Sequence, residues 1–392
     1  MNKYAWLVLL VGLLIALASC ANPTAEPTKA PAQPTVAKVE PTKAAVEPTK
    51  APAAATAAPT KAAEPTKASA AATAVPTKAA APASPAQPKP GWPKQLSIGT
   101  APIGGVYYII GGAWAKVLTD KLGVSAAVEV TGGPQPNIKL VNTGEQAFGI
   151  ATNGPVYEGW YGKEWANGTK YQNIRSIYPM YASMFHVIVT EKSGIKDVYG
   201  LQNQAVGGGA KGGAPDEYGR IIMKALNITP KQIVNMGFNE LNSSMDDGMT
   251  VGYWTWAGVP QPSLVEMENT RKVTIFGLAD KDIKKVQEQY PYLIPIDIPA
   301  GTYKSVSGPL RTIGGWNIMI GNKDLPADFV YEVVKATFDN IDALVAAHPS
   351  AKDMPMDRIL QSPIPLHPGA IKYFKEKGLT IPDTLIPPEY KP

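Results

Sequence analysis

Between Trp92 and Pro392, short apolar runs alternate with longer stretches whose apolar residues recur at helical spacing. LSIGT predicts a strand running into a glycine turn, and VYYIIGGAWAKVLTDKL predicts the helix that follows it. VSAAVEV, PNIKLVNTGE and AFGIAT continue the alternation as strand, helix and strand. Repetition of this kind predicts a largely parallel sheet with helices on both faces. Turns at Gly99–Gly105, Thr131–Gly133 and Asn153–Pro155 follow the three strands and are expected to converge on one edge. That is the edge at which open α/β sheets hold ligands.

FHVIVTEKSG predicts a strand leaving this first lobe, and a second alternating unit follows. It comprises QAV, the loop GGGAKGGAP, the helix DEYGRIIMKAL, IVNMGF, a helix near Leu241–Asp247, the strand VGYWTW and the turn AGVPQP. After the helix KDIKKVQEQY, RTIGGWNIMIG reads as a strand returning to the first lobe. ADFVYEVVKATFDNIDALVAAH reads as one long helix, and PGAIKYFKEKG as a shorter one. The expected architecture is α/β, with two lobes joined by two crossing strands and a cleft between them. Residues 92–188 with 312–392 form one lobe, and residues 189–311 the other.

The first 91 residues break this pattern. MNKYAWLVLLVGLLIALASC has a basic residue, an apolar run and small residues ending at Cys20, the arrangement of an export signal. The apolar run is short for a membrane span. Leu17-Ala18-Ser19-Cys20 resembles a bacterial lipobox, with Cys20, the only cysteine of the chain, as the lipidated residue. The alternative is an ordinary signal cleaved nearby, with an incidental cysteine. Residues 21–91 read as a tether in which PTK occurs six times and almost no large apolar side chain is available to bury. At about 3.1 Å per residue in extended polyproline geometry, it reaches roughly 200 Å.

Charge changes the picture once the tether is set apart. Of the net +5, Lys3 supplies one charge, and eight lysines against four glutamates in the tether supply four. The remaining body holds 28 basic and 28 acidic residues and sums to zero, which gives no footprint for nucleic acid. A single cysteine excludes intrachain disulfides and thiolate clusters. His186, His348 and His367 lack metal-ligand spacing, so neither metal nor cofactor is expected.

Gly207, Gly209 and Gly212 satisfy the spacing of a dinucleotide fingerprint, although an exported protein rarely meets such a cofactor. A broader reading keeps backbone N–H groups at a helix N-terminus, with Lys211 beside them, as a cradle for an anion. A tight turn with a solvated lysine is the plain alternative. Tyr107 and Tyr108 open the first helix, Trp160 and Tyr161 follow the third turn, and Trp254 and Trp256 share one strand face opposite Tyr253. Tyr108 and Trp256 are singled out as ligand contacts because their neighbours are glycine turns; core packing is the alternative. Asn137 either caps its helix or reaches a ligand, and His186 is expected to pack within a sheet face.

GTAPIGGVYYIIGGAWAKVL, EVTGGPQPNIKLVNTGEQAFGIATNGPVYEGW and VGYWTWAGVPQPSLVEM, in that order, resemble the TAXI family. These TRAP-associated extracytoplasmic immunogenic proteins are solute receptors related to other two-lobed periplasmic binding proteins. The resemblance covers the body from about Gln95 to the C-terminal helices. It implies a type II-like periplasmic binding protein fold and a lipid-anchored monomeric receptor that is not an enzyme. It also implies capture of a small solute, a carboxylate in studied members, and delivery to a TRAP-type membrane permease. By position, the first-lobe contacts fall on Thr100, Gly104, Gly105, Tyr108, Gly133 and Asn137, with Thr152 or Asn153 after the third strand. Lys211, Gly213 and Trp256 face them from the second lobe. This chain departs from the family at Gly212-Gly213-Ala214-Pro215, where hydroxyls for a carboxylate are usual. It departs again at Trp256-Ala257, where small or hydroxyl residues are usual, and at Ala101-Pro102-Ile103 in the first turn. Two other readings stand beside the receptor: a ligand-sensing subunit for a membrane signalling partner, and a cell-surface enzyme using Asp or Glu chemistry in the cleft.

Overall fold

The computed structural model describes residues 86–391. The leader with Cys20, and residues 21–85 of the expected tether, lie outside the described residues.

In the first lobe, β1 (Gln95–Gly99), α1 (Val106–Leu122), β2 (Ser125–Glu129), α2 (Pro134–Thr143), β3 (Phe148–Thr152) and α3 (Asn153–Tyr161) alternate as the pattern predicts. β1 lies between β2 and β3, parallel to both. The long strand β4 (Ile174–Thr190) then leads to β5 (Ala205–Gly207), α4 (Ala214–Ala225), β6 (Gln232–Val234), α5 (Phe238–Asp246) and β7 (Gly252–Ala257). α6 (Pro262–Thr270), β8 (Val273–Phe276), α7 (Asp280–Gln289) and β9 (Ile294–Ile298) follow. A second long strand, β10 (Leu310–Asn322), returns the chain to α8 (Ala327–Asp339), α9 (Ile341–Ala347) and α10 (Pro368–Glu376). The strands form one mixed sheet of order β2-β1-β3-β10-β4-β7-β5-β6, with β8 beside β4 and β9 beside β10.

The two lobes are therefore joined through β4 and β10, which run antiparallel to each other. Apolar packing marks where one lobe gives way to the next. Up to Tyr181 the side chains of β4 join a core built around Trp114, Phe148 and Phe329. From Met184 onward they enter two cores on opposite faces of the second half of the sheet, one around Trp254 and Ile222, the other around Tyr253 and Leu264. On β10 the same change falls between Ile313 and Ile318. Trp254 and Trp256 share one core and Tyr253 lies in the other, as strand alternation requires.

β4 begins well before FHVIV because the buried IRSIYPMYAS segment belongs to it. Pro179 argues against a central strand, since proline cannot donate to the ladder. The partner strand accommodates it with a register shift: Trp316 faces Ala182, and Ile318 faces Pro179. Asn317, left between them, donates from Nδ2 to the Tyr181 carbonyl and the Ser183 hydroxyl, both at 2.8 Å. Its Oδ1 accepts from the Tyr107 hydroxyl at 2.7 Å. A buried polar knot thus sits where the lobes meet.

The single long helix expected at 327–348 is two helices. Asn340 leaves helical geometry at φ −125° and donates from Nδ2 to the Ala336 carbonyl at 2.8 Å, satisfying an orphan acceptor at the end of α8. The third turn is the start of a helix, with Asn153 its first residue and Pro155 inside the first turn, where no helical hydrogen bond is lost. The AGVPQP turn likewise opens α6, with Pro262 at its first position. On the N-terminal side, Ala86 and Gln87 lie against Gly123. Lys89 pairs with Glu332 at 2.9 Å, and Trp92 donates to Asp328 at 2.7 Å while packing edge-on against Phe329.

Candidate functional site

The carboxyl ends of β1 and β2 present the turns Thr100–Gly105 and Val130–Gly133. The loop Gly208–Gly213, ahead of α4, faces them from the second lobe. The walls meet backbone to backbone. A methyl group on Gly132 would lie 3.1 Å from the Lys211 carbonyl oxygen, and one on Gly133 would lie 3.3 Å from Gly213 Cα. Gly133 has φ +111° and ψ −144°, a region only glycine occupies without strain. Gln261, after β7, donates from Nε2 to the Gly104 carbonyl at 2.9 Å and ties the seam.

Within the seam remains a cavity of about 40 Å³, lined by Pro102, Gly105, Tyr107, Gly133, Phe238 and Trp256 among others. At roughly 10–15 Å³ per water it has room for about three waters. With the lobes in this position it does not hold a solute the size of an amino acid. Its walls are apolar, and Trp256 Nε1 is buried without a hydrogen-bond partner among the described residues. The Trp256 ring stacks on Tyr218 at 3.9 Å with planes 13° apart.

The anion cradle expected ahead of α4 is partly filled by the chain itself. Asp216 Oδ2 accepts from the Gly212 N–H at 3.1 Å, while Oδ1 accepts from Arg220 Nε at 2.5 Å and Asn235 Nδ2 at 2.9 Å. A helix N-terminus favours an anion, and here Asp216 supplies one from within its first turn.

On the other side of the seam, α3 and α4 face each other across an open cleft of about 1530 Å³. Glu158 from the first lobe and Glu217 from the second line it, with Tyr218, Tyr290 and Tyr292. Burial pushes the Glu217 carboxyl up to about 8, helped by the charge of Glu158. Burial, with the charge of Glu164, pushes Glu158 up to about 7. The Tyr292 hydroxyl is likewise held well above its ordinary value by burial and these two carboxylates.

The residues singled out from sequence separate into four groups. Gly105, Gly133 and Trp256 line the small cavity, and Gly104 and Gly213 form the seam around it. Thr152, Asn153 and Lys211 line the large cleft; Lys211 is exposed there rather than aimed into the seam. Thr100 and Asn137 are fully buried behind the turns. The Thr100 hydroxyl donates to the Glu129 carbonyl at 2.7 Å. Asn137 donates to the carbonyls of Thr100 and Ile150, both at 2.8 Å, and accepts from Thr131 Oγ1 at 2.7 Å. It neither caps α2 nor reaches a cavity; it clamps β1 to β3. Tyr108 lines neither cavity, and its neighbour Tyr107 takes that place. The helical spacing carries the signal: Tyr107, Ile110, Trp114 and Leu118 form one buried stripe of α1. His186 packs as expected: its Nδ1 bonds the Met184 carbonyl, its Nε2 the Tyr303 hydroxyl at 2.8 Å, and burial holds it down at about 3. Gln261 and Glu158 lie inside the stretches AGVPQP and NGPVYEGW but were not singled out from sequence, and neither was Glu217 in the helix DEYGRIIMKAL.

Two α/β lobes on two shared strands, with facing walls at the carboxyl ends of the parallel strands, define a two-lobed protein of the periplasmic-binding type. The chain belongs to the NMT1-like family, whose model matches residues 98–378. Among solved structures, it is similar to the periplasmic binding protein BugD at 13% identity and a TM-score of 0.47, over 74% of this chain and 99% of that one. It is similar to MatC of Rhodopseudomonas palustris, solved with malate bound, at 13% identity and 0.47, over 73% and 98%. The glutamate-bound GluR0 ligand-binding core from Nostoc punctiforme matches at 13% and 0.39, over 66% and 99%. Identity at this level leaves the chemistry of the site to be argued from its own residues.

Proposed function

We propose that the protein is an extracytoplasmic solute receptor of the TAXI type, tethered by a lipid on Cys20, which captures a small solute between its lobes and delivers it to a TRAP-type permease. The observation that carries this reading is the seam: two lobes on a pair of shared strands meet largely through backbone at the strand ends, with Gln261 as a side-chain tie. Such a surface closes with little side-chain interdigitation and parts again without unpacking a core. The hinge of this motion is the stretch around Ser183 and Gly314–Asn317, where apolar packing changes lobe and β10 carries its register shift. Ligand then acts by favouring one of two arrangements. The bodies that move are residues 92–181 with 318–391, and residues 184–313. The carboxylate that the resemblance implies finds Gly212 N–H already taken by Asp216, and it meets Lys211 only at the rim of the large cleft.

Small-angle scattering with a thermal-shift screen tests the reading. A saturating solute is expected to reduce the radius of gyration and raise the unfolding midpoint; at 100 times the dissociation constant the stabilisation is about 2.7 kcal/mol. One unchanged shape with a saturating ligand bound would overturn closure as the mechanism.

A further inference from the structure

The large cleft has an unusual set of acceptors. Glu158 and Glu217 approach from different lobes, and no ion pair among the described residues involves either. Glu217 Oε2 accepts from Gln135 Nε2 at 3.0 Å, and its second oxygen has no partner among the described residues. Of the six basic side chains that line the cleft, Lys163 donates to the Tyr157 hydroxyl, Arg220 pairs with Asp216, Arg358 lies over the Trp316 ring at 4.5 Å and Lys139 over the Trp165 ring at 5.4 Å, while Lys211 and Lys224 are exposed to solvent at the rim.

A second, independent feature is Tyr218. It is 1% exposed, its ring is pinned on Trp256, and its hydroxyl lines the cleft without a hydrogen-bond partner among the described residues. Gly154 keeps the space open, since a methyl group there would collide with that hydroxyl. Asn153 Oδ1, on the same wall, is buried and unpartnered.

With the lobes in this position two carboxylates from different lobes share a partly desolvated space, which costs energy unless a cation lies between them. Burial and neighbouring carboxylates raise both carboxyls, and a bound cation is expected to bring them down again. N–H donors match carboxylates through charge-assisted bonds, and tyrosine faces attract cations. We propose that the cleft between α3 and α4 binds an organic cation bearing N–H groups, a primary amine or guanidinium with an apolar body, held between Glu158 and Glu217 against Tyr218 and Tyr292. This rests on the receptor reading above and assigns its solute class.

The test is isothermal titration and thermal shift on the full-length protein. Phenethylamine and agmatine are the cationic probes, phenylacetate and glutarate the anionic ones, and phenethyl alcohol the neutral control. The cations are expected to bind saturably and raise the midpoint, with at least tenfold weaker binding in Glu158→Gln and in Glu217→Gln. Circular dichroism confirms that each variant is folded, and loss of cation affinity with added salt provides a measurement on the unmodified chain. Saturable binding of anions alone would overturn the cation assignment and leave the receptor reading standing. Silence from every probe would overturn both. Cation binding undiminished in the doubly substituted protein would overturn the site.

Discussion

The seam and the open cleft lie between the same two lobes and are built on opposite principles. The seam is tight and made largely of backbone: glycines at 132, 133 and 213 let main chains touch, and the cavity left over holds about three waters' worth of space. The cleft is roomy and made of side chains on two helices, with carboxylates and tyrosine hydroxyls still wanting partners. The glycine signature marks where the lobes touch, and the carboxylates proposed as the solute contacts lie about a helix turn away, Glu217 four residues after Gly213.

Four substitutions would break or sharpen this contrast. Trp256→Ala removes a buried ring from the seam and the stacking partner of Tyr218, and is expected to cost about 3–5 kcal/mol in equilibrium unfolding. Asn137→Ala removes a donor from the Ile150 carbonyl and one of the two side-chain donors from the Thr100 carbonyl, which keeps the Thr131 hydroxyl at 3.0 Å; a loss of about 2–4 kcal/mol is expected. Solute affinity should be unchanged in that variant under conditions where it is folded, because Asn137 touches neither cavity. A tenfold affinity loss there would return it to the site.

Gly133→Val acts differently. A branched residue at φ +111° costs about 1–3 kcal/mol of strain and wedges the seam at Gly213. Scattering should show a larger radius of gyration that solute no longer reduces; normal closure would show that the seam tolerates side chains. The last effect is read against pH. Glu217 is raised from an ordinary 4.5 to about 8, so folding favours its protonated form. That contribution is complete below about pH 4.5 and is lost as pH rises through 8. Glu217→Gln keeps a neutral side chain, so the wild-type midpoint should fall relative to the variant between pH 5 and 9. Parallel pH curves would contradict the shift.

Much of the fold was legible because strand and helix periods are local properties. The alternation from LSIGT to AFGIAT predicts β1, β2 and β3 with their helices, and the face shared by Trp254 and Trp256 follows from the two-residue period of β7. The second half of β4 was legible in FHVIV, but its first half escaped because Pro179 speaks against a central strand locally, while the register shift that accommodates it lies on β10, 139 positions away in pairing with Ile318. Tyr107 was legible in the phase of α1 yet yields to Tyr108 when proximity to glycine is weighed instead. Glu158 and Glu217 had no local signature at all: a carboxylate on a polar helix face looks solvated until another lobe approaches it. Asn137 illustrates the reverse case, a polar residue beside a glycine turn whose hydrogen-bonding groups are used inside its own lobe.

The course of Ala86–Trp92 has a mechanical consequence. The leash enters at the end of α1 and along α8, through Lys89–Glu332 and Trp92–Asp328, and every one of those contacts belongs to the first lobe. If residues 21–85 act as the proposed tether, tension along it would be delivered to the first lobe, while the second lobe hangs on two strands downstream of the load. Pulling the leash would then do no work on the proposed hinge.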